Sequence, residues 1–412
     1  VVNKIFVDTI GKSMATAAME ATEKYRYSKK YKSGGTFGSN YSTSGAWTPF
    51  FNWSSTSLST KERQQLYDKF IAGHYLPTFN KDIIDTKKWL TCGEPCPGLC
   101  KKVRKNKKHD YETYHAFGPN AGIIDLDHAE FVADALEGAG FDSIGFGTVI
   151  SYVLECMYKG LLTPEDLGVK EKPNFDAETF SMKDSKAHSR IAAKLCLDVA
   201  YKRTEFAKIF IHGIRHACRV LSKKYHEREQ KTGISFFDLA NYVPFGRDGV
   251  IEPCQYWVPG FYLPVTIQGK FLTYYDKDFH EPMNLARISM QQAVHEMFQE
   301  NTGVCRFHRK WSDALIPKLI KAGYGIDVDY AKHCKLLLVR MNEYDIKAQA
   351  QPTFWETQRT KNVIHDYIKE VVSVFGASKE SQKWLDFFDR TPEKAARAYW
   401  EALFLGVKEG LE

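Results

Sequence analysis

Residues 91–100 read Thr-Cys-Gly-Glu-Pro-Cys-Pro-Gly-Leu-Cys and place three cysteines, Cys92, Cys96 and Cys100, close together. A fourth cysteine, Cys305, lies 205 residues after Cys100, in Thr-Gly-Val-Cys-Arg-Phe-His-Arg-Lys-Trp. Three clustered thiolates and one distant thiolate are typical of a [4Fe–4S] site, because a tight loop wraps most of the cluster and a second segment closes it. The pattern therefore predicts an electron-transfer protein that folds around a cluster.

Two other interpretations of the cysteine loop stay open on the spacing alone. Structural zinc usually takes its ligands as two CxxC-type pairs, whereas this loop has two gaps of three residues and no fourth Cys or His nearby. The thiols could also carry no metal. The crowding of three cysteines around Pro97 favours a cluster over both.

The other five cysteines are predicted to be buried packing residues, since free cysteine behaves as a small hydrophobe. They are Cys156, Cys196, Cys218, Cys254 and Cys334. A total of nine cysteines in a long chain argues against a secreted disulfide framework and favours a reducing cytoplasm.

The composition is that of an ordinary soluble globular protein. The 412 residues allow two or three domains, 43% are hydrophobic and 26% are charged. No apolar run approaches the roughly 18–20 residues that span a membrane. A net charge of +7 does not by itself imply nucleic acid, so neither a membrane nor nucleic acid is expected as a partner.

Apolar residues recur at helical spacing through much of the chain, which predicts a mainly α protein with few short strands. Residues 142–160 show one apolar helix face, with Asp142 as the expected N-cap and Gly160 as the expected stop. The same period predicts further helices near residues 204–224, 286–299, 326–345, 360–374 and 393–406.

Two segments, residues 31–56 and 243–276, are rich in glycine and aromatic residues and are predicted as loops. Because ordered aromatic side chains avoid water, we expect both to pack into an interior cleft, where backbone tends to contact ligands. A weakly marked division near residue 200 predicts one domain over residues 1–200 and a second over residues 201–412.

A basic run directly follows the cysteine loop. Taken alone, such a run indicates a solvated charged loop. Beside an iron–sulfur cluster it predicts a docking surface for an acidic carrier such as ferredoxin, which positive charge would attract over long range. The residues concerned are Lys101, Lys102, Arg104, Lys105, Lys107 and Lys108.

Glu112 lies among aromatic residues, in Tyr-Glu-Thr-Tyr-His-Ala-Phe at 111–117. Burial between aromatic rings would raise the pKa of its carboxyl group, which suits a general base. The alternative is a glutamate that is simply paired or exposed.

Eight short stretches match one known family. They are Gly-Gly-Thr-Phe-Gly-Ser-Asn-Tyr at 34–41, Cys-Gly-Glu-Pro-Cys-Pro at 92–97, Tyr-Glu at 111–112, Gly-Pro at 118–119, Gly-Phe-Asp at 140–142, Gly-Arg-Asp-Gly-Val-Ile-Glu-Pro at 246–253, Ile-Gln-Gly at 267–269 and Cys-Arg-Phe-His-Arg-Lys-Trp at 305–311. On these stretches the whole chain resembles the tungsten-containing aldehyde:ferredoxin oxidoreductase family. The gaps between the cysteines fit its archaeal glyceraldehyde-3-phosphate branch best.

The resemblance implies two helical domains packed around a cofactor cleft. It implies a tungsten ion on two pterin dithiolenes, a magnesium ion as a candidate bridge between the pterin phosphates, and a [4Fe–4S] cluster held by Cys92, Cys96, Cys100 and Cys305. Glu112 matches the family's active-site glutamate near tungsten. No histidine of this chain is assigned to the family's active-site histidine.

The family holds its pterins with two Asp-x-x-Gly-Leu-Asp/Cys motifs, one of which falls in each predicted domain. The matching residues are Glu137, Gly140 and Asp142 in the first, and Glu300, Gly303, Val304 and Cys305 in the second. Both segments begin with Glu instead of Asp. The carboxylate can still accept hydrogen bonds from a pterin amino group, but from one methylene farther out.

The implied reaction is oxidation of glyceraldehyde-3-phosphate to 3-phosphoglycerate, with electrons passing through the cluster to ferredoxin. A phosphorylated substrate needs cations, ideally arginine for its bidentate fork. The expected ones, each of which could instead pair with a structural carboxylate, are Arg247, Arg306, His308 and Arg309. The resemblance also implies an N-terminal base domain under the pterins, expected either as a separate chain or as a part missing from this sequence.

Three alternatives remain. One is another aldehyde oxidoreductase of the family, and the second is the tungsten subunit of an aryl-CoA reductase. The third is a non-catalytic iron–sulfur subunit that transfers electrons without tungsten.

Overall fold

The computed structural model describes residues 2–93, 96–253, 255–263 and 274–412. Within these ranges the chain is mainly helical, as predicted, and its strands form two short antiparallel hairpins. These are β1 (Val103–Arg104) with β2 (Lys107–Lys108), and β3 (Val243–Phe245) with β4 (Gly249–Ile251). None of the described helices combines the length and the apolar character needed to cross a lipid bilayer.

The helices vary from single turns to twenty residues. In the first half they are α1 (Val2–Ile10), α2 (Met14–Ala21), α3 (Glu23–Arg26), α4 (Gly35–Ser44), α5 (Thr60–Leu66), α6 (Leu76–Phe79), α7 (Tyr111–Ala116), α8 (Leu126–Ala139), α9 (Ser143–Tyr158), α10 (Pro164–Leu167) and α11 (Met182–Ala200). In the second half they are α12 (Glu205–Lys208), α13 (Gly213–Lys224), α14 (His226–Thr232), α15 (Phe236–Leu239), α16 (Pro282–Asn301), α17 (Arg309–Ser312), α18 (Ile316–Tyr324), α19 (Tyr330–Lys347), α20 (Gln358–Phe375), α21 (Lys379–Arg390) and α22 (Pro392–Leu411).

Short 3-10 and π segments complete the helical structure. The 3-10 turns are Gly45–Trp47, Ser54–Ser57, Pro119–Ala121, Ile209–His212, Pro259–Tyr262 and Arg306–His308. Two π segments, Tyr67–Tyr75 and Asn80–Ile84, continue α5 and α6 into one helical rod.

Most buried apolar side chains belong to two large cores. The first is built from residues between Phe37 and Tyr242, and the second from Trp53 and residues between Val243 and Val407. A small third core joins α1 and α2 to the start of α18 through Phe6, Ala17 and Leu315. The division at residue 200 stays a prediction, while the cores themselves change over at residues 242 and 243.

The helix predictions hold where capping signals support them. Asp142 caps α9 by accepting hydrogen bonds from the backbone N–H groups of Ile144 and Gly145, at 3.1 and 2.7 Å. The prediction of one helix over residues 204–224 is wrong. The chain there forms α12, a 3-10 turn and α13, because Gly213 adopts a φ of 84°, outside the helical region.

Segment 31–56 packs into the interior as predicted, but the prediction that it is a loop is wrong for Gly35–Ser44, which form α4. Glycine, serine and threonine favour helices weakly, so sequence propensity gave no signal here. Packing supplies the stability instead, since Phe37 and Tyr41 have no exposed surface and lie on one helix face.

Some sequence predictions fall outside the described residues. These are Cys254, residues 264–273 of the second aromatic segment, and with them the stretch at 267–269. Cys156, Cys196 and Cys218 are buried, as predicted, and Cys334 is half-buried.

Candidate metal and active site

The described residues of the three-cysteine loop, 91–93 and 96–100, have no regular secondary structure and lie between the second π segment and β1. Cys92 is exposed, whereas Cys96 and Cys100 are half-buried. Residues 94 and 95 lie outside the described ranges. A thiol group therefore faces outward at the start of the loop, and two others lie against the protein.

Lys102 anchors the end of this loop from the inside. Its side chain is 1% exposed, its Nζ atom donates to the Leu99 carbonyl oxygen at 2.5 Å, and the same atom lies 4.3 Å from the centroid of the Trp89 ring. Burial lowers the pKa of Lys102 to about 8. Lys102, which was predicted to be part of a docking surface, is therefore buried beside Cys100 and holds the loop in place.

The segment that carries Cys305 follows α16. Gly303 turns the chain with a φ of 70°, and Cys305 precedes the 3-10 turn Arg306–His308. The backbone N–H of His308 donates to the Cys305 carbonyl oxygen at 2.8 Å. Phe307 stacks on Tyr25, with ring centroids 4.2 Å apart, which ties this turn to the N-terminal helices.

The fold brings the four predicted cluster ligands together. Burial raises the pKa of the Cys100 thiol, and the nearby thiols of Cys305, Cys92 and Cys96 raise it further. The Nε2 atom of His308 lies 3.3 Å from the Sγ atom of Cys96. Two segments that are distant in the sequence therefore meet at one cysteine group.

The ligation of a [4Fe–4S] cluster by the cysteine group stays a prediction that rests on the chemistry of its thiols. Among the residues that the structure describes, no three His, Cys, Asp or Glu side chains converge on one metal position. A [4Fe–4S] cluster is held by four thiolates, each on its own iron. The donor set and its mutual proximity suit that group.

The two segments matched to pterin motifs share one local structure. In each, a glutamate lies near the C-terminus of a helix and its carbonyl oxygen accepts a hydrogen bond from the glycine N–H, at 3.1 Å for Glu137 and Gly140 and at 3.1 Å for Glu300 and Gly303. Both glycines are left-handed, with φ of 73° and 70°, as is usual after a helix.

After each glycine turn, a new helical segment begins directly after the motif's last residue, Asp142 or Cys305. The Glu137 side chain is exposed, and the Glu300 side chain is 40% exposed. The Glu137 carboxylate is thus accessible to a ligand, whereas a pterin amino group would share the Glu300 carboxylate with Arg309.

Glu112 lies in the first turn of α7, next to Tyr111, which is 1% exposed and donates to the Gln255 carbonyl oxygen at 3.1 Å. This contact aligns α7 with the second aromatic segment. The hydroxyl group of Tyr256 then donates to Glu112 Oε1 at 2.5 Å. Burial raises the pKa of Glu112, while the Tyr256 hydrogen bond opposes the rise.

Arg306 connects Glu112 with the cysteine group. The Arg306 guanidinium opposes the rise in the pKa of Glu112 that burial causes. It also donates to the Tyr275 hydroxyl at 3.0 Å. The Tyr275 ring in turn contacts the Tyr256 ring, with centroids 5.7 Å apart. Arg306 directly follows Cys305. Glu112 and the cysteines therefore belong to one site.

The other predicted phosphate ligands are held in different ways. Arg309, 9% exposed in its side chain, donates to Glu296 at 2.7 Å and also pairs with Glu300. Arg247 is 93% exposed in its side chain, between β3 and β4, and lies 3.5 Å from Asp248. His308 is buried against Cys96.

The basic run forms the β1–β2 hairpin, and much of its positive charge is balanced. Arg104 contacts Asp82, Asp127 and Glu130 at 2.8, 2.7 and 2.7 Å. The remaining pairs are Lys105 with Asp127 at 2.8 Å, Lys107 with Asp134 at 2.9 Å and Lys108 with Asp110 at 2.6 Å. Its role in docking stays a prediction.

Tyr256 is a site residue that the sequence analysis missed. It lies in the segment predicted to enter a cleft, but nothing in the spacing relates it to Glu112, 144 residues away. Asn40, which donates to the Tyr256 hydroxyl at 2.8 Å, lies within the Gly-Gly-Thr-Phe-Gly-Ser-Asn-Tyr stretch. The match of that stretch to the family was the signal in the sequence that pointed to Asn40.

A family model described as aldehyde ferredoxin oxidoreductase, domains 2 and 3, matches residues 12–336. The chain belongs to the aldehyde ferredoxin oxidoreductase family. The matched range includes both cysteine segments, Glu112 and both glycine turns. The resemblance drawn from the sequence is therefore confirmed at the level of the family.

Two relatives in this family are similar over most of the chain. Glyceraldehyde-3-phosphate:ferredoxin oxidoreductase of Pyrococcus furiosus is 38% identical over 349 residues, which are 84% of this chain and 53% of that protein. An uncharacterised protein of Methanocaldococcus jannaschii is 37% identical over 388 residues, 92% of this chain and 61% of that protein. The chain thus spans between half and two thirds of their length.

Among solved structures, the chain is similar to the active site complex BamBC of benzoyl coenzyme A reductase in complex with 1,5 dienoyl-CoA. The TM-score is 0.48 at 13% sequence identity, over 97% of this chain and 66% of that one.

Proposed function

We propose that this chain is the part of an aldehyde oxidoreductase that oxidises glyceraldehyde-3-phosphate to 3-phosphoglycerate and passes the electrons through a [4Fe–4S] cluster to ferredoxin. The observation that carries the proposal is the meeting of the four cysteines and Glu112 at residues 305–308. The substrate and the acceptor are taken from the name of the Pyrococcus relative, with which the chain shares 38% identity.

In this proposal Cys92, Cys96, Cys100 and Cys305 hold the cluster as thiolates. Burial and the neighbouring thiols raise the pKa of Cys100, so the free thiol keeps its proton. The thiol loses that proton when iron binds, because the positive charge of the iron stabilises the thiolate. The exposed position of Cys92 leaves one side of the cluster near the surface, where an external carrier can approach.

A tungsten bis-pterin, when bound, supplies the two-electron redox chemistry that side chains cannot perform. Glu137 and Glu300 would accept hydrogen bonds from the amino groups of these pterins, and a magnesium ion would accompany the cofactor. The turn residues that accompany the two glutamates are Gly140, Asp142, Gly303 and Val304. These residues would bind and orient the pterins, and they exchange no electrons themselves.

Glu112 is the proposed general base. Conversion of an aldehyde and one water to a carboxylic acid releases two electrons and two protons. A carboxylate with a raised pKa can take a proton from water or from the aldehyde hydrate and release it later. Tyr256 and Asn40 fix the orientation of this carboxylate.

Arg306 suits the substrate phosphate best among the four predicted cations. Its side chain is 38% exposed and lies within electrostatic reach of Glu112. Arg306 contacts Glu296 and Glu300 only at 3.6 and 3.8 Å, whereas Arg309 pairs closely with the same two carboxylates. His308 contacts Cys96, and Arg247 belongs to the β3–β4 turn. These three are secondary candidates.

Two protein partners belong to the proposal. Ferredoxin would approach the three-cysteine loop and the β1–β2 hairpin, with Lys101, Lys105 and Lys108 as its first contacts. A base domain would cover the pterins, as a separate chain or as a further part of this protein.

The test is a comparison of substrates with protein that is purified without oxygen, together with any chain that co-purifies. The ratio kcat/KM for glyceraldehyde-3-phosphate should exceed that for glyceraldehyde by at least about tenfold, because hydrogen bonds to a charged group contribute roughly 1.5–3 kcal/mol. Arg306→Ala should remove this preference, whereas Arg190→Ala, at an arginine on α11 that is 58% exposed in its side chain and pairs with Glu171, serves as the control. Equal rates on both aldehydes would replace the proposal with a broad aldehyde oxidoreductase.

A further inference from the structure

We propose that the Nε2–H group of His308 donates a hydrogen bond to the Cys96 thiolate and thereby raises the reduction potential of the cluster. The inference rests on the proposed ligation of that cluster by the four cysteines. It gives His308 a role different from the phosphate binding that the sequence suggested.

The geometry joins the two halves of the ligand set. His308 Nε2 lies 3.3 Å from Cys96 Sγ, across 212 residues of sequence. His308 ends the 3-10 turn that directly follows Cys305, and the backbone N–H of His308 donates to the Cys305 carbonyl oxygen at 2.8 Å. One residue therefore contacts a ligand from the first loop and is fixed to a ligand from the second.

The surroundings of the ring fix the direction of the hydrogen bond. His308 is 8% exposed, and its Nδ1 atom is buried without a hydrogen-bond partner among the described residues. A metal-bound thiolate has no proton to donate, so in this contact the hydrogen must reside on Nε2. The Trp311 ring, 5.4 Å away between centroids, covers the imidazole from the side.

Cys96 also receives a backbone hydrogen bond. The N–H of Gly98 donates to Cys96 Sγ at 3.3 Å, and glycine is required there because a Cβ atom would lie 2.9 Å from Thr22 Oγ1 and 3.3 Å from the same sulfur. Two N–H groups thus converge on one thiolate.

Hydrogen bonds to ligand sulfur stabilise the reduced cluster more than the oxidised cluster, since the reduced form carries more negative charge. Loss of one bond to a charged group is worth about a tenfold change in the equilibrium constant for reduction. For a one-electron couple, a tenfold change corresponds to about 59 mV. The His308 contact therefore makes the cluster easier to reduce.

The experiment is an anaerobic redox titration of the purified protein with its cluster, followed by EPR of the reduced form. His308→Leu should lower the midpoint potential by about 59 mV, the shift for a tenfold change, whereas His308→Gln, whose Nε2 can replace that of imidazole, should restore most of it. The matched control is His295→Leu, a histidine on α16 that is 56% exposed and pairs with Asp313. Equal potentials in His308→Leu and the wild type would overturn the inference.

A second measurement covers the case in which His308→Leu does not assemble a cluster. Pulsed EPR of reduced wild-type protein labelled with nitrogen-15 histidine should show a weak coupling from one imidazole nitrogen, and its absence would overturn the inference. A wild-type protein without iron would instead refute the proposed function.

Discussion

The Tyr256 hydroxyl group and Glu112 Oε1 are 2.5 Å apart, although the two residues are 144 positions apart in the sequence. The Nδ2 group of Asn40 donates to the same hydroxyl at 2.8 Å, so the hydroxyl hydrogen is left for the carboxylate. Donation to the charged form of a carboxyl group lowers its pKa. Tyr256 thereby limits the rise in the pKa of Glu112 that burial causes.

Replacement of Tyr256 by phenylalanine should shift the pH dependence of aldehyde oxidation. Loss of the donor removes the hydrogen bond that lowers the pKa of Glu112, so that pKa rises further. A base works when ionised, so the acidic limb of kcat/KM should move to higher pH. Tyr242→Phe is the control, because that hydroxyl donates to Glu356. An unmoved acidic limb would contradict the role of Glu112 as the base.

Acid should destabilise the protein through His188. Its Nδ1–H donates to the Ala121 carbonyl oxygen at 2.9 Å and its Nε2 accepts from the Asn174 N–H at 2.9 Å, so the neutral ring is fully paired. Burial lowers the pKa of His188 to about 4, whereas the unfolded imidazole titrates near 6.5. The unfolded chain thus binds more protons between these values, and stability falls as pH drops from about 6.5 to about 4.

The size of this effect is roughly 3 kcal/mol in the free energy of unfolding. Urea denaturation at several pH values should show a shallower acid slope for His188→Gln than for the wild type. His226→Gln, at a side chain that is 65% exposed, should keep the wild-type slope. Equal dependence of the free energy of unfolding on pH in all three proteins would show that His188 does not cause the loss of stability in acid.

Gly406 should tolerate no side chain. A Cβ atom there would lie 2.3 Å from the Met283 carbonyl oxygen and 2.8 Å from Ala286 Cβ, where α22 crosses α16. Gly406→Ala should therefore lower the free energy of unfolding by roughly 1–3 kcal/mol or more. Gly138 on α8 has open space around it, so Gly138→Ala should stabilise the protein by up to about 1 kcal/mol. Equal changes in the free energy of unfolding for the two variants would contradict the close contact between Gly406 and α16.

Arg104 should stabilise the fold more than it assists docking. Its side chain is 12% exposed and contacts Glu130, whose side chain is 4% exposed. Arg104→Gln removes the nearest cation from that carboxylate, which keeps His109 at 3.2 Å and Lys105 at 3.5 Å, at a cost of roughly 1–3 kcal/mol. Arg247→Gln should change the free energy of unfolding by less than about 0.5 kcal/mol. A large rise in KM for ferredoxin with unchanged stability would favour docking instead.

Much of the helical fold could be predicted from the sequence because capping signals and apolar periodicity coincide, as they do at Asp142. The prediction failed where the two disagree. Apolar residues continue through 204–224, but Gly213 breaks the helix, and α4 forms in a stretch of weak helix formers because Phe37 and Tyr41 are buried.

The site was predictable for residue types whose chemistry is rare. Four cysteines at unusual spacing predict a cluster, and in the fold the other three lie near enough to Cys100 to raise its pKa. Their ligation of a cluster stays a prediction. Tyr256 and Asn40 gave no such signal, since tyrosine and asparagine occur throughout the chain and their relation to Glu112 exists only after folding. His308 was predicted as a phosphate ligand because cationic residues flank it, and the sequence did not reveal that Cys96 would lie against its ring.

Metal analysis of the protein purified without oxygen, together with any co-purifying chain, tests the central claim most directly. The account predicts one tungsten and four irons per chain, and iron that is lost when Cys305 is replaced by serine. Iron without tungsten would contradict the proposed oxidoreductase and leave an electron-transfer subunit.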